Sequence, residues 1–331
     1  MKKLKILVVI ALFVLSFKYL GAQTDPFQNS RYWSFYIEND QFAGKDCCFT
    51  GGLKLSWMSG TIEQAEQKSW LNWIPFIKQP GPQRAFSLSL GQHIYTPKDL
   101  TASYLIKNDR PYAGVIYVSL GVHNRTSDVQ DFVELTLGIV GPASGAEPVQ
   151  RFFHTIFGGA DPKGWHNQLK NEFVVSLVYE RKWKTLRRGK AEKMGFDVIP
   201  HLGGGVGNLH AYASGGAQLR WGWRLPNEFG SALTRPGGFR NLGFREGGER
   251  SFYLYAGVTG MAVLRNIFLD GNTIRESHMI EKYPLTADIF LGFSLRIKKI
   301  QVSLEYVFWT KRFKTENNNH IVGSLSLISS F

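Results

Sequence analysis

Side-chain character alternates with a period of two along most of this chain, the period of a β-strand whose two faces meet different surroundings. Between Ser30 and Asn39, Trp33, Phe35 and Ile37 fall on one face and Ser34, Tyr36 and Glu38 on the other. At the C-terminus, Ile321, Gly323, Leu325 and Leu327 alternate with Val322, Ser324 and Ser326, and the chain ends on Phe331. The same reading predicts strands over Gly51–Ser59, Arg84–Tyr95, Pro111–Arg125, Gln130–Val140, Leu169–Lys184, Gly195–Gly207, Gly215–Arg224, Arg250–Arg265, Pro284–Ile297 and Gln301–Phe313. Most reach the roughly 9–11 residues that a tilted membrane strand requires. An open sheet edge in lipid would leave backbone groups unpaired, so such a sheet must close. The predicted fold is all-β: a transmembrane antiparallel up-and-down β-barrel of about twelve strands, with a short helix in an extracellular loop. A soluble β-sandwich is the alternative, and strand length, the serine-bearing faces and the terminal aromatic weigh against it. Two stretches break the pattern. Thr61–Gln83 carries Trp70, Trp73, Ile74 and Phe76 and reads as a short amphipathic helix at the membrane surface; Pro226–Glu249, rich in Gly and Arg, receives no assignment.

Composition changes the picture first at the N-terminus. Lys2, Lys3 and Lys5 precede an apolar run from Ile6 to Phe17, and the small residues Gly21 and Ala22 follow. That is the pattern of a secretory signal peptide over residues 1–22, which leaves 23–331 as one barrel domain. A membrane anchor is the alternative, but the run is short for a spanning helix. The net charge is +13, and Lys2, Lys3, Lys5 and Lys18 supply four of the positive charges. A basic exported chain favours anionic lipid as its partner and makes nucleic acid a poor candidate. The two cysteines, Cys47 and Cys48, are adjacent and read as non-structural.

Strand parity then gathers candidate chemistry. The loops after the first, third and fifth strands share one rim, which faces the exterior if both termini are periplasmic. The first holds Glu38-Asn39-Asp40 and Thr50-Gly51-Gly52, hard oxygens and an amide suited to calcium or to a developing oxyanion. The second holds Lys98, Lys107 and Arg110, cations suited to phosphate. The third runs from Gly141 to His154, where Pro148 can begin a helix that sets Gln150 and His154 one turn apart on one face. Histidine is the usual general base near neutral pH. Each cluster also has a structural reading: Asn39 and Asp40 as turn formers, the cations as solvated loop charge, His154 as a packed helix residue.

Taken together, Glu38-Asn39-Asp40, Phe49-Thr50-Gly51, Asp109-Arg110-Pro111-Tyr112-Ala113, Gly141-Pro142, Val149-Gln150 with His154, and Gly164-Trp165 followed by Asn167-Gln168-Leu169 and Asn171-Glu172 resemble the outer-membrane lipid A 3′-O-deacylase (LpxR) family. The resemblance implies a twelve-stranded barrel in the outer membrane, acting as a monomer on lipid A of lipopolysaccharide as a calcium-dependent ester hydrolase. By position, His154 resembles the catalytic base, Asn39, Gln150 and Thr50 the other catalytic positions, and Asp40 a metal ligand, with Lys98, Lys107 and Arg110 as candidate phosphate contacts. One departure is that the family pattern can carry an acidic residue soon after the histidine, where this chain has Ala160 with Asp161 beside it. A passive porin and a binding barrel without catalysis are the rival functions.

Overall fold

The computed structural model describes residues 31–40, 49–61, 83–189, 193–230 and 250–331. Its strands are β1 (Tyr32–Asn39), β2 (Phe49–Met58), β3 (Gln83–Tyr95), β4 (Ala113–Arg125), β5 (Val129–Val140), β6 (Glu172–Trp183), β7 (Leu186–Gly189), β8 (Met194–Gly207), β9 (His210–Trp223), β10 (Arg250–Asn266), β11 (Leu285–Ile297), β12 (Ile300–Trp309) and β13 (His320–Ser330). Every pairing is antiparallel between neighbours; β1 pairs with β13, and β6 pairs with β8 to close the ring. The short β7 continues β6 along the lower part of β8, so the wall is a closed barrel of twelve strands. No helix among the described residues is long and apolar enough to cross a membrane.

The alternation seen in the sequence becomes inside and outside. On β4, Val115, Tyr117, Ser119 and His123 point inward and are buried, while Ile116, Val118 and Leu120 point outward and are exposed. Leu88 and Leu90 on β3, Leu135 on β5 and Leu177 on β6 extend the same outer apolar surface. Such a surface belongs in hydrocarbon, where a charged side chain at mid-depth costs about 2–4 kcal/mol.

The lumen is filled. Midway, Lys54 pairs with Glu134 at 3.5 Å and Lys182 with Glu180 at 3.5 Å, all buried. At the upper end, where β1, β3 and β5 finish, a helical turn α2 following β10 (Ile267–Asp270) inserts Phe268 against Tyr95 at 4.2 Å between ring centroids. At the lower end residues 225–230 fold inward. The buried Arg220 holds Asp197 through two hydrogen bonds and donates to the carbonyls of Pro226 and Glu228, and Tyr253 donates to the Glu228 carboxylate at 2.5 Å.

Three strand limits differ from the sequence expectation by three residues or more, one of them the strand expected from Gly215, which begins at His210. The strand expected to reach Phe313 ends at Trp309, because Phe313 packs with Leu269 and Ile280 into a small core above the barrel mouth. The strand expected from Leu169 begins at Glu172, because Asn272 clasps both the N–H and the carbonyl of Lys170 at 2.9 and 2.8 Å. The expected signal peptide, the cysteines, the surface helix within 62–82 and most of Pro226–Glu249 lie outside the described residues.

Candidate functional site

The loop between β5 and β6 builds the site. Gly141 opens it with a φ of +101°, which a side chain rarely adopts, and a 3-10 turn over Pro142–Ser144 leads into helix α1 (Ala146–Phe157). Pro148 sits in the first turn, where the absence of its N–H costs nothing. This helix lies against the outer wall of the barrel. Gly114, on the outward face of β4, is where Ser144 and Ala146 press closest: a Cβ added there would lie 2.1 Å from the Ala146 methyl carbon. Ile94, Leu100, Tyr112, Ala146 and Trp165, with Val149 against them, form a small core between helix, loop and wall.

Between α1 and the wall runs a narrow cleft that is open on one side. Ile37 and Asn39 of β1, Gly51 and Leu53 of β2, Gln92 and Ile94 of β3, and Val149, Gln150 and Phe153 of α1 line it. Its chemistry is divided: aliphatic and aromatic groups from both walls, and three side-chain amides, Asn39, Gln92 and Gln150. Asn39 reaches it because it continues the outward face begun by Trp33, Phe35 and Ile37, whereas the Glu38 carboxylate turns inward and accepts a hydrogen bond from the Tyr36 hydroxyl.

His154 flanks the cleft one helical turn beyond Gln150, a separation of about 5–6 Å between Cβ atoms, and is largely buried. Its Nδ1 donates to the Ala160 carbonyl at 2.7 Å. A carbonyl only accepts, so the neutral ring carries its proton on Nδ1 and keeps Nε2 as the basic nitrogen. The departure noted in the sequence therefore has a structural reading. Ala160 serves the histidine through its backbone, and Asp161 pairs instead with Arg151, which also bridges to Glu147 and the Pro162 carbonyl. Gln150 accepts a 2.8 Å hydrogen bond from the Trp165 indole, both residues being 1% exposed.

The sequence candidates thus separate. Asn39 and Gln150 line one cleft and His154 borders it. Asp40 is buried where β1 ends, adjacent in the chain but not part of the lining. Thr50 occupies a β-bulge, since Phe49 pairs with Tyr95 and Gly51 already with Ile94; its side chain lies outside the described residues. Lys98 and Lys107 are exposed on the β3–β4 loop. Arg110 does not join them. It is 3% exposed, pairs with Glu316 at 3.4 Å and lies over the rings of Phe313 and Tyr95, so it belongs to the mouth of the lumen and not to a phosphate-binding surface. Sequence reasoning missed Gln92, Leu53 and Ile94 as lining residues, though outward parity on β2 and β3 marks them.

Among the described residues no group of three or more His, Cys, Asp or Glu side chains converges as a metal site. The donors near the cleft, the Asp40 carboxylate, the amide oxygens and backbone carbonyls, are hard oxygens and fit calcium in type, though with a single carboxylate.

A family model described as "Outer membrane protein LpxR" matches residues 7–331. Among solved structures, LpxR from Salmonella typhimurium superimposes with a TM-score of 0.75 at 18% identity, covering 91% of this chain and 100% of that one. The β domain of the Bordetella autotransporter BrkA is a weaker likeness, with a TM-score of 0.43 at 10% identity over 93% of this chain and 99% of that one. A search of curated proteins finds no match.

Proposed function

Because the chain belongs to the LpxR family of outer membrane proteins, we propose that it is a lipid A deacylase, hydrolysing the ester that links an acyl chain to the 3′ position of lipid A. The observation that carries this reading is the position of α1: it lies on the lipid-facing side of the wall, so its cleft is open to an amphiphile that never leaves the bilayer. The apolar lining suits an acyl chain, the three amides suit an ester, and His154 stands beside them.

His154 Nε2 takes a proton from water, and the water oxygen attacks the ester carbonyl carbon. Amide N–H groups of Asn39 and Gln150 stabilise the oxyanion. The tetrahedral intermediate collapses, the sugar oxygen leaves and takes the proton back from His154, and a free fatty acid and a 3′-hydroxyl result. Thr50 is assigned to orienting water or substrate. Calcium, held by Asp40 with amide and backbone oxygens, supplies polarisation of the ester carbonyl when bound. Lys98 and Lys107, exposed on the neighbouring loop, receive the lipid A phosphates. The rim carrying the cleft is assigned to the extracellular side, the mature barrel to 23–331, and the working form to a monomer. The porin alternative is disfavoured by the filled lumen.

The test is to incubate purified protein with lipid A in detergent, with calcium or with chelator, and to measure released fatty acid. Release that needs calcium is the expected result; no release under either condition defeats the proposal, and release insensitive to chelator removes the metal from it.

A further inference from the structure

We propose that Trp165 is a positioning residue for this reaction: its indole N–H fixes the Gln150 side-chain amide so that the Nε2 end, not the oxygen, is offered to the ester in the cleft. The inference rests on the deacylase reading above. Trp165 Nε1 stands 2.8 Å from Gln150 Oε1, and both side chains are 1% exposed. An indole N–H can only donate, so the oxygen end of the amide must face it; the reversed amide would set donor against donor in a buried place. Gln150 lines the cleft between Val149 and Phe153. With its oxygen committed to Trp165, what the side chain can give a carbonyl or an oxyanion is N–H.

Trp165 is itself held from several sides. Its ring packs on Tyr112, with centroids 5.0 Å apart, inside the small core with Ile94, Leu100 and Ala146. Gly164 lets the turn approach Tyr112, because a Cβ there would lie 2.5 Å from that ring. The preceding chain is tied down by Arg151, which donates to the Pro162 carbonyl at 3.0 Å, and by the Lys163 N–H, which donates to the Leu100 carbonyl at 2.9 Å. The indole is therefore a fixed reference against which the amide is set. Trp165 touches no substrate and acts through Gln150.

The test compares kcat and KM for fatty acid release by wild type, Trp165→Phe, Gln150→Ala and the double variant, each first shown to be folded by its resistance to SDS without heating. Phenylalanine keeps an aromatic ring in the core and removes the donor. Trp165→Phe is expected to lower kcat about tenfold, less than loss of a whole oxyanion donor, with KM nearly unchanged. In the Gln150→Ala background the same substitution is expected to have no further effect. A wild-type kcat for Trp165→Phe, or an equal loss in both backgrounds, overturns the inference while leaving the deacylase reading in place. An inactive wild type removes both.

Discussion

A Cβ placed on Gly159 would lie 2.7 Å from Nδ1 of His154 and 2.8 Å from its Cγ, so at this residue any side chain must displace the imidazole. The hydrogen bond from Nδ1 to Ala160 would then be strained or lost, and with it the tautomer that leaves Nε2 basic. Gly159→Ala is accordingly expected to slow fatty acid release by about tenfold, less than the roughly hundredfold or more that a general base contributes, while far-UV circular dichroism stays that of wild type; unaltered release would show that the ring is not set by this contact. At the same scale, the meeting of Asn39 and Gln150 at one cleft was legible because parity on a strand and spacing on a helix determine which residues share a face. Arg110 was not. Its partner Glu316 stands 206 positions away, and nothing local distinguishes a loop arginine in solvent from one drawn into a barrel mouth.

Among the elements, the β12–β13 loop closes the upper mouth through Glu316. Burial works against the charged carboxyl, but hydrogen bonds from His320 and the Arg312 backbone, together with the Arg110 charge, hold its pKa below the ordinary 4.5. A depressed carboxylate contributes stability that is complete above its unfolded pKa and is lost as pH falls through the lower folded value. The stability advantage of wild type over Glu316→Gln, read from urea unfolding in detergent, is therefore expected at pH 7 and expected to decline progressively as pH falls below 4.5; a difference independent of pH would contradict it. The strands themselves were readable to within a few residues, since a barrel wall has lipid on one side and packed lumen on the other and so imposes period two almost everywhere. What the periodicity could not convey is the placement of α1. A twelve-residue amphipathic helix in a loop fits equally well over the barrel mouth or along its flank. The choice is made by small residues, Gly114 against Ala146 above all, that let the two surfaces meet.

For the whole molecule, the division is between a lumen filled by buried side chains and an outer wall on which the proposed reaction is placed. Phe268 fills the upper mouth, and Arg220, Asp197, Glu228 and Tyr253 anchor residues 225–230 in the lower one. Reconstituted into planar bilayers, the protein is expected to show no steady conductance, and a stable open-channel current would mean that the lumen is the working part after all. The cleft, by contrast, lies on the outer side of the wall. It is tested most directly by the mass of lipid A after incubation with wild type and with His154→Ala, matched for resistance to SDS. The expected result is loss of the single 3′-linked acyl group with wild type and unchanged lipid A with the variant. The same acyl loss with both proteins would contradict the placement of the reaction at this cleft.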